Sequence, residues 1–155
     1  MLLKNALIIV IIGLVGYGGY RLIRSLPGGE TFTPAPVHWH GFLTMSVCGE
    51  ARDIRDRNHD SPGVKSVGNA LLHTHGDNWI HIEGRVLSAS DISLLAFFNA
   101  LKIPFGTDHF FDKQGSSACN DGNPDLLRVK VNGADIADPV NYVVRDQDKI
   151  EISFH

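Results

Sequence analysis

Apolar and polar residues alternate in three different ways along the chain, and each pattern predicts a different structure. The first is an apolar run, Ala6–Tyr20, extended by Leu22 and Ile23. It reaches about 18 residues, or roughly 27 Å as a helix, close to the thickness of a bilayer core. Lys4 precedes the run, Arg21 and Arg24 follow it, and Tyr17 and Tyr20 fall where interfacial aromatics belong. Residues 5–23 are therefore expected to form a single transmembrane helix, with 1–26 as the anchor. No clean small-x-small site follows, so an uncleaved anchor is expected rather than a signal peptide. Pro27–Pro36 is too rich in Pro and Gly for a helix or a central strand and reads as a linker. Residues 37–155 are left as one soluble domain of about 120 residues, enough for a core of its own.

The second pattern has a period of two. From Val37 to Val47, Trp39, Leu43, Met45 and Val47 share one parity, and His38, His40, Phe42, Thr44 and Ser46 share the other. Cys48–Glu50 reads as a hairpin turn with a return strand over 51–55. Residues 56–69 read as loop. Leu71–His75 and Trp79–Glu83 flank a three-residue turn, Gly76–Asn78, and form a second hairpin. The third pattern is helical. Ser88–Leu101 carries an apolar face of Leu94, Leu95, Phe98 and Leu101, with Ser90 as candidate cap, Asp91 in the first turn and Pro104 beyond the end. Residues 105–125 read as a long loop. Leu127–Val131, a turn at Asn132-Gly133, Tyr142–Val144 and Lys149–Phe154 close the chain as strands. The expected class is α+β: a transmembrane helix, then a mixed sheet with one main helix and an inserted hairpin. The closing order of strand, Asn-Gly turn, loop, tyrosine, acidic turn and strand resembles the β-grasp fold. That likeness is topological and assigns no function.

Charge removes one class of function. Fourteen Lys and Arg against 17 Asp and Glu give a net charge of −3. The basic residues are scattered, so there is no field for nucleic acid. Cys48 and Cys119 match no CxxC pattern, and the sequence leaves open a disulfide between them or two separate thiols. Lys4 and the α-amine balance Arg21 and Arg24, so flanking charge alone does not orient the anchor. The spacer, the histidine hairpins and the cysteine pair favour an N-in, C-out single-pass protein of the cell membrane, its domain extracytoplasmic. Gly13, Gly16 and Gly19 make a small-residue stripe that could meet a larger membrane complex.

Five of the eight histidines carry the chemistry. They occur as His38-x-His40 and as His73-x-His75 followed by His81. Residues i and i+2 of a strand point to one face about 7 Å apart, so each pair presents two imidazoles side by side. The three-residue turn sets His73 opposite His81, with Glu83 on the same face and Asp77 at the tip. Neutral imidazole suits Cu(II), Zn(II) or Ni(II), and a carboxylate completes or orients such a set. The expected metal residues are His38, His40, His73, His75, His81 and Glu83. The competing reading is a wet strand face with no ligand. Asp108, His109 and Asp112 lie in the long loop and could reach the site, while His59 and His155 read as solvated. With Met1 and Met45 the only methionines, a Met-rich Cu(I) carrier is not expected.

His38-Trp39-His40, Leu72–Asp77, Ile80–Glu83, Phe97-Phe98 and Val131–Gly133 together resemble an uncharacterised family. Its members are membrane-anchored bacterial and archaeal proteins with an HTHD…IHIE signature and a terminal VNG segment. The resemblance covers residues 38–154 and implies a shared site rather than an activity. Gly76-Asp77 stands where that family has Asp directly after its HTH. The leading expectation is a membrane-tethered, extracytoplasmic copper or zinc protein without catalysis. Its rival is an accessory subunit of a membrane complex. A zinc hydrolase with Glu83 as base ranks last, since no HExxH or nucleophile motif supports it.

Overall fold

The computed structural model describes residues 13–19, 21, 31–54, 67–115, 119 and 127–155. The chain divides into two units, Met1–Glu30 and Thr31–His155. In the first, residues 13–19 are helical and exposed. No helix among the described residues is long and apolar enough to cross a membrane. This corrects the transmembrane helix expected over 5–23; the rest of that segment lies outside the described residues. Four of the seven residues 13–19 are glycine, and each costs about 1 kcal/mol relative to alanine in a helix. An unbroken apolar run is thus a poorer helix than its hydropathy suggests. Gly13, Gly16 and Gly19 have nothing within 4 Å of where a Cβ would stand.

The second unit is dominated by sheet. Its strands are β1 (Val37–Val47), β2 (Glu50–Arg52), β3 (Val67–Gly68), β4 (Leu72–Thr74), β5 (Trp79–Gly84), β6 (Phe105–Gly106), β7 (His109–Phe110), β8 (Lys113–Gln114), β9 (Leu127–Val131), β10 (Ala134–Asp135) and β11 (Lys149–Phe154). The main sheet runs β10-β9-β11-β1-β5-β4-β3, and β2 pairs with the far end of β1. At its centre β1 lies parallel to β11, Leu43 beside Ile150 and Val47 beside Phe154. The other pairings are antiparallel. Both tight hairpins take two residues at positive φ, Cys48 and Gly49 at 53° and 79°, Asn132 and Gly133 at 53° and 84°. Such turns match the right-handed twist of the strands they join.

The period of two sorts the faces. Leu43, Met45, Val47, Ile80, Ile82, Val129, Val131, Ile150, Ile152 and Phe154 are buried on the inner side. The helical layer there is small, which corrects the α+β, β-grasp-like expectation of a mixed sheet with one main helix over 88–101. A 3₁₀ turn, Ala89–Ile92, is closed by a capping box between Ser88 and Asp91. Then Ser93 takes an extended backbone (φ −74°, ψ 160°) and its side chain accepts from the Ala96 N–H, starting a separate seven-residue helix, α1 (Leu94–Ala100). Serine at a cap competes with the helix it would otherwise continue. The caps are Ser88 and Ser93, not Ser90. Leu94, Phe97 and Phe98 bury against the sheet.

Two further segments depart from expectation. Residues 105–115 do not form a loop throughout: β6, β7 and β8 make a small three-stranded sheet. Phe105 and Phe110 pack with Phe98, ring centroids 4.4 and 5.3 Å from it. Tyr142–Val144 is not a strand; Val143 makes a single bridge with Ser93. The Tyr142 hydroxyl instead donates to Asp148 Oδ2 at 2.7 Å. Asp148 also accepts from the Arg145 N–H at 2.8 Å and from Asn132 Nδ2 at 3.1 Å. Burial, and then the neighbouring Asp148, push the Tyr142 phenol up to about 12. The segment is bent around this buried carboxylate rather than extended. Cys48 and Cys119 form a disulfide, 71 residues apart in sequence, and no cysteine among the described residues is free.

Candidate metal centre

The outer side of the sheet carries the histidines. In register, His40 of β1 stands opposite His81 of β5, and His81 stands opposite His73 of β4. The next rung sets His38 against Glu83. The row His73–His81–His40 thus crosses three strands, with His81 in the middle. His75 extends the patch from the turn after β4. All six expected residues lie together on this face.

The turn after β4 is fixed by its own side chains. Gly76 and Asn78 adopt φ of 75° and 61°, a left-handed conformation that glycine and asparagine tolerate best. Asp77 Oδ1 accepts from Trp79 N–H at 3.2 Å and from the Thr74 hydroxyl at 3.3 Å. Asn78 ties the turn to the rest of the domain, accepting from the Ile54 N–H through Oδ1 at 3.2 Å and from the Leu43 N–H through its carbonyl at 2.9 Å. With Oδ1 so engaged, Asp77 Oδ2 lies 3.8 Å from His81 Nε2. On the other flank, β1 is clasped by the acidic turn. The His40 N–H donates to Asp146 Oδ1 at 2.9 Å, and the His40 carbonyl accepts from Gln147 N–H at 2.6 Å.

Distances between the imidazoles are short. Ring centroids are 4.7 Å apart for His38 and His40, 4.8 Å for His40 and His81, 5.1 Å for His73 and His75, and 4.6 Å for His75 and His81. His73 and His81 stack at 5.3 Å with planes 9° apart. Two groups, His38/His40/His81 and His73/His75/His81, each bring their ligand atoms within 4.8 Å of one another. Glu83 Oε1 lies 3.0 Å from His38 Nε2 and 3.9 Å from His73 Nε2, so one carboxylate stands between the two groups. A surface pocket of ≈ 470 Å³ opens over His38, His40 and His81, with Trp79, Asp77, Asp146 and Gln147 completing its wall. Trp79 and Asp146 were not singled out as site residues from the sequence. Trp79 carried a signal, a large aromatic two residues from His81 on the same strand face. Asp146 carried none, because its role is to hold backbone 106 residues away.

Asp108 and His109 pair with each other, His109 Nδ1 to Asp108 Oδ1 at 2.8 Å, on the small sheet. Neither they nor Asp112 nor His155 belong to the two histidine groups among the described residues. His59 lies outside the described residues.

No family model, curated protein or solved structure matches the chain. What the domain does must therefore be read from the chemistry of this patch.

Electrostatics favour a neutral ring at the central His81. Burial lowers the His81 pKa below its usual 6.5; Asp77 opposes the shift, while His75, His40 and His73 reinforce it. Burial would raise Asp77, but hydrogen bonds from the Trp79 and Asp77 backbone and the neighbouring His81 outweigh it and hold the carboxyl below its usual range. A neutral ring with a nearby carboxylate is what cation binding requires. A consequence for stability follows from the sign. Between 6.5 and the lower folded value, the unfolded chain takes up a proton at His81 that the native state refuses. Native stability is thus fully present above pH 6.5 and declines as pH falls through that window, by at most about 1.4 kcal/mol per pH unit from this group. Urea unfolding of metal-free protein from pH 8 to 5 should show the decline, and His81→Phe should flatten it. An unchanged slope in the variant would assign the decline elsewhere.

Proposed function

We propose that the domain binds copper or zinc ions in an oxidising, extracytoplasmic setting and holds or passes them on without catalysing a reaction. The observation that carries this reading is the pair of three-histidine groups, each with its ligand atoms within 4.8 Å, on one rigid sheet face. Three imidazoles leave a fourth position for water, a carboxylate or a receiving partner, and N-donor sets of this kind suit Cu(II) and Zn(II). Glu83 fits the part of an orienting carboxylate. Its Oε1 lies 3.0 Å from His38 Nε2, a carboxylate set directly beside one of the candidate ligands. That contact sets Glu83 against an imidazole rather than leaving it a free general base. The setting is supported by the Cys48–Cys119 disulfide, since such bonds persist where the compartment is oxidising.

Calorimetric titration of the full chain, purified without a histidine tag, tests this. Cu(II) or Zn(II) is expected to bind at micromolar concentration or below, and the triple variant His73→Ala/His75→Ala/His81→Ala to lose most of that affinity. Binding confined to millimolar metal would sink the proposal.

A further inference from the structure

We infer that the patch is a two-ion centre in which His81 is the shared ligand, one ring nitrogen facing each ion. This rests on the metal-binding reading and specifies its stoichiometry and ligand arrangement. His81 differs from its neighbours in one respect. Both its Nδ1 and its Nε2 are buried and lack a hydrogen-bond partner among the described residues. A neutral imidazole presents one donor and one acceptor, and buried polar atoms of a native domain rarely go unmatched. The closest carboxylate contact, Asp77 Oδ2 at 3.8 Å from Nε2, is too long for a hydrogen bond. A ring with two unmatched nitrogens whose in-plane directions diverge is suited to two electrophilic partners.

The strands supply those partners' remaining ligands from opposite sides. β5 lies between β1 and β4, so His38 and His40 approach His81 from one flank and His73 and His75 from the other. Neighbouring strands stand about 4.8 Å apart, which puts the backbones of His40 and His73 roughly 10 Å apart across β5. One ion holds its nitrogens at about 2.0–2.1 Å. It can be completed from either flank with His81, whereas collecting all five rings would require both pairs to reach past His81. Each group closes without the other. Glu83 Oε1 lies 3.0 Å from His38 Nε2 and 3.9 Å from His73 Nε2, between one histidine of each group. Binding of the second ion displaces the remaining ring proton of His81 to solvent, so that each nitrogen lone pair goes to one ion. Glu83 and Asp77 offset part of the added charge.

Cu(II) titration of the untagged full chain, followed by calorimetry and by electron paramagnetic resonance, decides the point. Two equivalents are expected. Spin intensity should rise to the first and fall on addition of the second, because two copper ions joined through one ring couple magnetically. The variants His38→Ala/His40→Ala and His73→Ala/His75→Ala should each bind one equivalent with full spin intensity. Saturation of the natural chain at one equivalent would overturn the two-ion centre and leave the metal-binding reading standing. Two equivalents with additive spin intensity would overturn the sharing of His81. No binding below millimolar metal would overturn both readings at once, and none of these readouts from the natural chain depends on the variants folding.

Discussion

Replacing His81 with alanine is expected to lower the affinity for the first equivalent of Cu(II) or Zn(II) at least about 100-fold, equivalent to roughly 2.7 kcal/mol. Loss of a residue that merely orients a ligand commonly costs 10- to 100-fold, and in the proposed centre His81 is a ligand itself. It belongs to both three-histidine groups, so its removal leaves two imidazoles on either flank. His75→Ala should cost less, because the group on β1 and β5 stays whole. His109→Ala should leave affinity unchanged, since His109 is paired with Asp108 on the small sheet. The fold should survive His81→Ala, because the adjacent Ile80 and Ile82, both fully buried, face the opposite side of β5. Competition titrations with a chromogenic chelator, beside circular dichroism of each variant, read all three effects. Equal losses in His81→Ala and His75→Ala would refute the central position given to His81.

The face that makes this prediction possible could be read from the chain because two local signals agree there. Parity along Val37–Val47 separates Leu43, Met45 and Val47 from His38 and His40, and the structure buries the first three. The length of the Gly76–Asn78 turn fixes which residues of β4 and β5 oppose each other, and His73 does stand opposite His81. The meeting of β1 with β5 is a different matter. It joins residues about 40 positions apart, and no local pattern gives its register, so His40 beside His81 emerges only from the fold. Where single residues outweigh periodicity, sequence reading fails. Ser93 cuts an apolar, helix-periodic stretch in two by capping its second half. Tyr142 looks like a strand residue but is turned aside by its hydrogen bond to buried Asp148. β6, β7 and β8 have two residues each, too few to show a period. In the N-terminal run hydropathy suggested a membrane helix, while four glycines in seven residues weaken the helix itself.

Reduction of the Cys48–Cys119 bond is expected to lower the free energy of unfolding by about 4 kcal/mol, from the chain entropy released when a loop of this size opens. Cys48 sits in the turn at the end of β1, its N–H donating to the Phe154 carbonyl at 2.8 Å, and Cys119 Sγ lies 3.9 Å from the same oxygen. The disulfide therefore fastens Cys119 to the end of the central parallel pair β1 and β11. A domain of this size has roughly 5–15 kcal/mol of stability in all, so the loss would be a large fraction of it. Urea unfolding with and without reductant, and of Cys48→Ser/Cys119→Ser, measures the effect through the midpoint at unchanged slope. A change below about 1 kcal/mol would mean that the bond constrains little in the unfolded chain. The histidines of β1 lie at the strand's opposite end, so reduced protein that remains folded should bind metal with nearly the affinity of oxidised protein. Reductant would then act on the site only through unfolding.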